Sequence, residues 1–369
     1  MNKKNKILVI ATAAFEGGAL TILSQFLDSI PKTDKSNYII LISNKLSNQE
    51  AFSDFELYKI DTSKWLKRIY YDLYGYRKFI EEKKFKVALC INFQNIPARI
   101  GSLKQIVYMH QALPFYRYNW SVFKKSEAKF WLYSKFYSRF MKWNAKYANY
   151  FIVQSNWIRE NLSEVLNFQK DDILVLKPGI SAIFKANAVL KKHRLKSKHT
   201  YIYPAAYYIY KNHSVILDAF KCLGEEYLKN NAIEIIFTVP ETSDLVNKVK
   251  EMQLQPYVRF VGNINHNGLN DYYSNVSGLL FPSKIESFGL PLIEGACKGL
   301  QIIAADLPYA REAVCGYEKV FFAEPDNASH WASLIKADIE NKKQNVTLFH
   351  YEDDWGELLS FIERNKSNS

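Results

Sequence analysis

Two carboxylates and a row of backbone amides stand together in FPSKIESFGLPLIEGACKGLQIIAAD, residues 281–306. A buried strand from Gly278 to Phe281 should end in a polar loop, with a helix opening at Pro291. Proline at the first helical position and Gly299 just past the end mark that helix as short. The amides of Ser287, Phe288, Gly289 and Leu290 then lie at its positive end, where backbone N–H groups alone can hold a phosphate. Glu286 sits in the loop and Glu294 one turn inside the helix, with seven residues between them. A carboxylate so placed can accept both hydroxyls of a vicinal diol. The residues also permit a plain structural reading, in which Glu294 favours a helix start and Glu286 is a solvated loop residue.

The whole segment is more specific than its two glutamates. It closely resembles the signature P-S-x-x-E-x-F-G-L-P-x-x-E of the retaining glycosyltransferases of family 4 (group 1), which have the GT-B fold. Pro282, Ser283, Glu286, Phe288, Gly289, Leu290, Pro291 and Glu294 all match it. The upstream run YVRFVGNINHNGLNDYYSNVSGLLFPS is similar to the family's strand–Gly–helix–strand passage. Trp355 heads an amphipathic tail, DWGELLSFIERN, like the family helix that returns to the first domain. The resemblance is strong over 200–369 and holds in outline over the first half.

It implies roles residue by residue. Glu294 would bind the ribose hydroxyls of a nucleotide-sugar, while Glu286 and the amides of Phe288 and Gly289 would hold the sugar and diphosphate. Lys211, in YPAAYYIYKNH, matches the lysine that neutralises the leaving diphosphate. Ala205 stands where many members carry an arginine, which removes part of the usual phosphate clamp. Asn212 beside Lys211 resembles a subgroup common in bacterial O-antigen and capsule synthesis. His110, ending QIVYMH, occupies a position where the family often has a histidine facing the donor sugar, although a histidine at a strand end also serves structurally. Gly17 and Gly18 follow the first strand, as in the family loop near diphosphate and acceptor; two glycines also simply permit a tight turn. Ser155 resembles a family position and suffices as a helix cap.

No D-x-D and no His/Cys/carboxylate cluster with metal spacing occurs in the sequence. The expected reaction therefore uses no metal and no cofactor beyond its donor, a UDP- or GDP-sugar. Lys211 and the helix amides would supply fixed positive charge. The resemblance implies retention, with the acceptor attacking on the face the diphosphate leaves and the departing phosphate oxygen taking its proton. Catalytic roles fall to Glu286, Lys211 and His110.

Such a site needs strands that end at it. Apolar runs at KILVIAT, YIILIS, VALCINF, QIVYMH, YFIVQS and ILVLKP alternate with helices near 18–29, 65–82, 121–147 and 156–166. A second alternating set starts at TYIYPA, after a polar, basic stretch over 181–199 that reads as a linker. This is the pattern of parallel α/β sheets. The expectation is GT-B: two doubly wound Rossmann-like domains facing across a cleft. The boundaries are 1–183, facing acceptor and membrane; 184–345, binding nucleotide-sugar; and 346–369, a helix returning to the first domain.

The chain of 369 residues carries a formal charge of +12. Residues 108–150 hold eight Lys/Arg against one acid, and 64–86 hold eight against three, so the basic character is local. Aromatics make up 15 of the 43 residues in 108–150. In the expected helix 121–147, Lys135, Arg139, Lys142 and Lys146 form one stripe. Phe136, Phe140, Trp143 and Tyr147 form the next. These stripes fit an anionic membrane surface, or else a core stripe with a solvated flank. The four cysteines form no C-x-x-C pair, which fits a reducing compartment. No run of about 18 apolar residues crosses a membrane. The expected location is cytoplasmic, peripheral on the inner face of the plasma membrane, with a glycan or lipid-linked glycan as acceptor. A nucleic-acid binder would leave the signature unexplained, so no nucleic acid is expected as a partner. A nucleotide-sugar epimerase of the same architecture and a non-catalytic relative are the alternatives.

Overall fold

The computed structural model describes residues 6–46, 50–116, 120–185, 198–241, 243–340 and 349–366; the side chains of Ala51, Lys125, Ser126, Lys129 and Lys135 lie outside that description. The chain divides into two units, Met1–Gly179 with Glu352–Ser369, and Ile180–Tyr351.

In the first unit the sheet contains β1 (Lys6–Ala11), β2 (Tyr38–Ser43), β3 (Glu56–Ile60), β4 (Val87–Asn92), β5 (Gln105–Met109), β6 (Tyr150–Val153) and β7 (Ile173–Val175). All are parallel, in the order β3-β2-β1-β4-β5-β6-β7. Alternation along β1 divides the core, as the two-residue period of a strand requires. Ile7, Val9 and Ala11 join Leu23, Phe26 and Leu27 on one face, and Leu8 and Ile10 join Ile39, Tyr76 and Cys90 on the other. The order reverses between β1 and β4, where doubly wound sheets open a crevice at their carboxyl ends.

Residues far along the chain complete this unit. The helix Trp355–Lys366 buries Leu358 and Ile362 in the same cluster as Phe26. Trp355 stacks on Tyr108 at 5.9 Å and 23°, and its ring lies 6.0 Å from that of Phe26. Ahead of it, Asp354 accepts from the Lys177 N–H at 2.8 Å through its carboxylate.

Two helices of this unit depart from the sequence reading. Trp65–Tyr70 and Tyr76–Lys83 are joined by a π turn at Tyr71–Gly75. Lys125–Leu132 and Ser138–Asn144 are joined by another at Tyr133–Tyr137. The second helix therefore opens at Lys125 rather than 121, and its extra residue breaks the unbroken period assumed for the stripes. Gly75 is required: a Cβ there would collide with the Tyr71 ring four residues back. The strand β3 was missed because it is an edge strand, half-exposed, with polar residues at both faces.

The second unit holds β8 (His199–Tyr203), β9 (Ile233–Phe237), β10 (Val258–Phe260), β11 (Gly278–Phe281), β12 (Gln301–Ala305) and β13 (Val320–Ala323). They are parallel in the order β10-β9-β8-β11-β12-β13, so this sheet reverses between β8 and β11. Within the expected linker, Ala182–Lys185 is a short helix whose Phe184 is buried against Tyr273; residues 186–197 lie outside the described ones.

Candidate functional site

The loops leaving β8 and β11, on either side of the reversal, bring Lys211 and Glu286 together. Lys211 Nζ lies 2.5 Å from Glu286 Oε1, and both side chains are mostly buried. Hydrogen bonds to the backbone fix this meeting. Tyr203, ending β8, donates its hydroxyl to the Lys211 carbonyl at 2.8 Å. The Lys284 N–H donates to the Tyr210 carbonyl at 2.8 Å, tying the two loops directly. Tyr309 donates to the Ser283 carbonyl at 2.5 Å. Asn212 adopts φ +54°, and its side-chain amide donates to the Pro325 carbonyl at 2.8 Å. Ala205 is half-buried and brings no charge. Any anion that enters must compete with Glu286 for the Lys211 ammonium.

Next to this pair the helix Leu290–Cys297 begins, one residue earlier than the sequence suggested. Gly289 precedes it at φ +92°, where an added Cβ would sit 3.2 Å from Leu292 and 3.3 Å from Tyr309. Glycine is thus needed twice over, for conformation and for space. Phe288 is buried and Ser287 half-buried. Glu294 is buried one turn in, and the Tyr273 hydroxyl donates to its Oε2 at 3.2 Å. Burial pushes the Glu294 carboxyl up to about 7, and the bond from Tyr273 draws it back.

In the first unit, His110 stands just past β5. Its N–H donates to Asn95 Oδ1 at 2.8 Å, which turns the amide nitrogen of Asn95 toward His110 Nε2 at 3.2 Å. The amide donates there, so the imidazole proton belongs on Nδ1, an atom with no hydrogen-bond partner. Burial, reinforced by the Arg68 charge, brings the imidazole pKa down to about 4, so the ring is neutral. The Nδ1–H is buried and has no hydrogen-bond partner among the described residues. Gly17 and Gly18 lie exposed beyond β1; Gly17 takes φ +60°, and a Cβ at either would meet nothing within 4 Å. Gly17 answers a backbone need, and Gly18 leaves open space.

The basic, aromatic helices carry their large side chains outward. Phe136 is 56% and Trp143 53% exposed, while Phe140 and Tyr147 are half-buried. Arg139, Lys142 and Lys146 are exposed; the side chain of Lys135 lies outside the described residues. Trp65, Leu66, Tyr70, Tyr74, Phe123 and Leu132 are exposed as well. The alternative of a core stripe fails for Phe136 and Trp143, because the π turn rotates one end of the helix and the Arg99 guanidinium covers a face of Trp143 at 3.9 Å. Among the described residues no helix is long and apolar enough to cross a membrane.

Sequence reasoning missed Tyr273, Asn95, Tyr203 and Lys284. Tyr273 was visible only as half of a tyrosine pair in DYYSN, and no spacing rule links it to a glutamate 21 residues later.

Residues 187–352 match the family model of glycosyl transferases group 1. The O-antigen chain mannosyltransferase RfbU of Salmonella typhimurium is 23% identical over 257 residues, 68% of this chain and 69% of that protein. The serotype-specific mannosyltransferase WbdA of Escherichia coli is 25% identical over 218 residues, 57% of this chain but 26% of that longer protein. Among solved structures, Anabaena HepE in complex with UDP and glucose has the same fold, with a TM-score of 0.69 and 14% identity. That match covers 93% of this chain and 92% of that one. Residues 187–352 thus carry the match to glycosyl transferases group 1, and the chain as a whole has the GT-B fold.

Proposed function

We propose that the chain transfers a hexosyl group from a UDP- or GDP-sugar to a lipid-linked glycan, with retention and without metal, in the synthesis of a bacterial surface polysaccharide. The observation that carries this reading is the Lys211–Glu286 pair at the reversal of the second sheet, beside the amides that open Leu290–Cys297. A lysine there can take up the charge of a departing diphosphate, and the amides add oriented dipoles that need not reorganise. Glu294 would accept the ribose hydroxyls. The neutral His110 would donate Nδ1–H to a sugar hydroxyl. The acceptor hydroxyl attacks on the face the diphosphate leaves, and the leaving oxygen takes its proton. The protein contributes position and charge.

The names of RfbU and WbdA make mannose the first sugar to test, and the ligands of HepE make UDP-glucose the second. Exposed aromatics among lysines on 65–83 and 125–144 support a peripheral site on an anionic, cytoplasmic leaflet. Release of nucleoside diphosphate from each donor, with and without a lipid-linked acceptor, tests the reading. Release that depends on acceptor, yielding a glycoside of retained configuration by NMR, is expected. Conversion to another free nucleotide-sugar would replace it with an epimerase.

A further inference from the structure

Three consecutive apolar side chains stand in solvent beside Lys211. Tyr207, Tyr208 and Ile209 are 38%, 50% and 42% exposed. Such a run on a folded surface is unfavourable unless something covers it, and none of the three has a task in the reaction above. The backbone beneath them is fixed. The Lys211 N–H donates to the Tyr208 carbonyl at 2.9 Å, the Asn212 N–H to that of Ile209 at 3.2 Å, and the Lys284 N–H to that of Tyr210 at 2.8 Å.

The rings are held as well. Tyr207 meets the buried His213 imidazole in a T at 5.5 Å and 75°. Tyr208 lies on Tyr210, with centroids 5.5 Å apart and planes 1° from parallel. Lys211 Nζ is 5.6 Å from the Tyr210 centroid and 2.5 Å from Glu286 Oε1. A continuous row thus runs from Tyr208 through Tyr210 and Lys211 to Glu286.

With one face against Tyr210, Tyr208 keeps its other face for a ligand. A hexopyranose suits a flat ring: in glucose and mannose the axial hydrogens on C3 and C5 make one face of the sugar apolar, while the hydroxyls point outward to polar partners. A lipid chain would gain little from three side chains next to an ammonium and a carboxylate. A nucleobase is disfavoured by the order of groups in the donor. With the ribose at Glu294 and the diphosphate at Lys211, the base lies on the Glu294 side, and the aromatic rings on the lysine's own loop meet the sugar end. The transferred sugar is already placed at Glu286 and Lys211, so the next ring along is the acceptor's.

We propose that Tyr208, backed by Tyr210, is a stacking platform for the terminal sugar of the acceptor. The proposal rests on the transferase reading above and names what that reading leaves open, a surface that holds the acceptor glycan.

Saturation-transfer NMR on the full chain, with UDP or GDP present, uses methyl α-mannopyranoside and methyl α-glucopyranoside as probes. Irradiation of the aromatic protons should mark H3 and H5 of the probe most strongly. Tyr208→Ala should cut that signal about threefold or more, Tyr208→Phe and Tyr208→Trp should keep it, and Glu286→Ala, which bears on the donor sugar, should leave it in place. The melting temperature of Tyr208→Ala should match wild type, because the ring is half exposed; a purely structural ring would lower it. In transfer assays Tyr208→Ala should raise the acceptor KM about tenfold and leave nucleotide affinity unchanged. No H3 and H5 signal in wild type, or an equal signal in Tyr208→Ala, overturns the platform. So does a loss of UDP and GDP affinity in Tyr208→Ala, which would make the ring a support for the base. A Tyr208-dependent probe signal in a protein that transfers no sugar leaves the platform standing and removes the transferase reading. Transfer with an acceptor KM unchanged by Tyr208→Ala does the reverse.

Discussion

The Tyr273 hydroxyl donates to Glu294 Oε2 at 3.2 Å in a site from which solvent is almost excluded. That single bond opposes the burial that holds the Glu294 carboxyl at about 7. If Glu294 accepts ribose hydroxyls as proposed, nucleotide affinity should rise with pH through about 7, as its carboxylate forms. Tyr273→Phe removes the opposing bond and should move this rise to higher pH. Calorimetry with UDP and GDP from pH 6 to 9 measures it, and a profile identical to wild type would separate Tyr273 from the site.

The same group bears on stability. A carboxyl whose folded pKa exceeds its unfolded value binds its proton more tightly when folded, so stability falls as pH rises from about 4.5 to 7. Glu294→Gln should flatten this fall and gain on the order of 3 kcal/mol at pH 8, from about 2.5 units at 1.36 kcal/mol each. Denaturant unfolding at pH 5 and pH 8 decides it.

Glu294→Ala should weaken nucleotide binding by about 2–4 kcal/mol, the scale of charge-assisted hydrogen bonds lost from a buried site. Glu286→Ala should lower turnover more than nucleotide affinity. Unchanged nucleotide affinity in the Glu294 variant would remove the ribose assignment.

Lys211→Ala should slow transfer roughly 100-fold, the effect of deleting one preorganised electrostatic donor. Because Lys211 and Glu286 are partners, the double variant should lose much less than the sum of the singles. Activity should survive EDTA; complete loss restored by magnesium or manganese would overturn the metal-free mechanism.

Binding to anionic but not neutral vesicles, weakening with salt, is expected of the basic, aromatic helices. Replacing Lys135, Arg139, Lys142 and Lys146 with glutamine should release the protein. Replacing Trp65, Leu66, Phe136 and Trp143 with serine should do so with less salt dependence, since these residues bury apolar area. Sedimentation with vesicles distinguishes the two sets, and wild type that ignores anionic vesicles would end the reading.

The second sheet and the loop from Pro282 to Glu294 were legible because a buried parallel strand, a left-handed glycine and a helix-opening proline each leave a local mark. Tyr273 and Asn95 were not, because their roles arise from contacts across loops that no period records. The helix at 121–147 shows a subtler failure. Its stripes were read at a constant 3.6 residues per turn, and the π turn at Tyr133–Tyr137 adds a residue that periodicity has no means to reveal. Strand β3 hid for the opposite reason, since an edge strand with one wet side looks like a loop.

The helix Trp355–Lys366 fills the first unit from the far end of the chain. During synthesis, residues 6–179 therefore leave the ribosome with the places of Trp355, Leu358 and Ile362 still vacant, and the whole second unit is made before they arrive. Folding cannot proceed strictly from front to back. The early half must wait with an apolar gap under Tyr108 and Phe26, which makes it a natural client for a chaperone and makes a nascent chain stalled before residue 355 prone to aggregate.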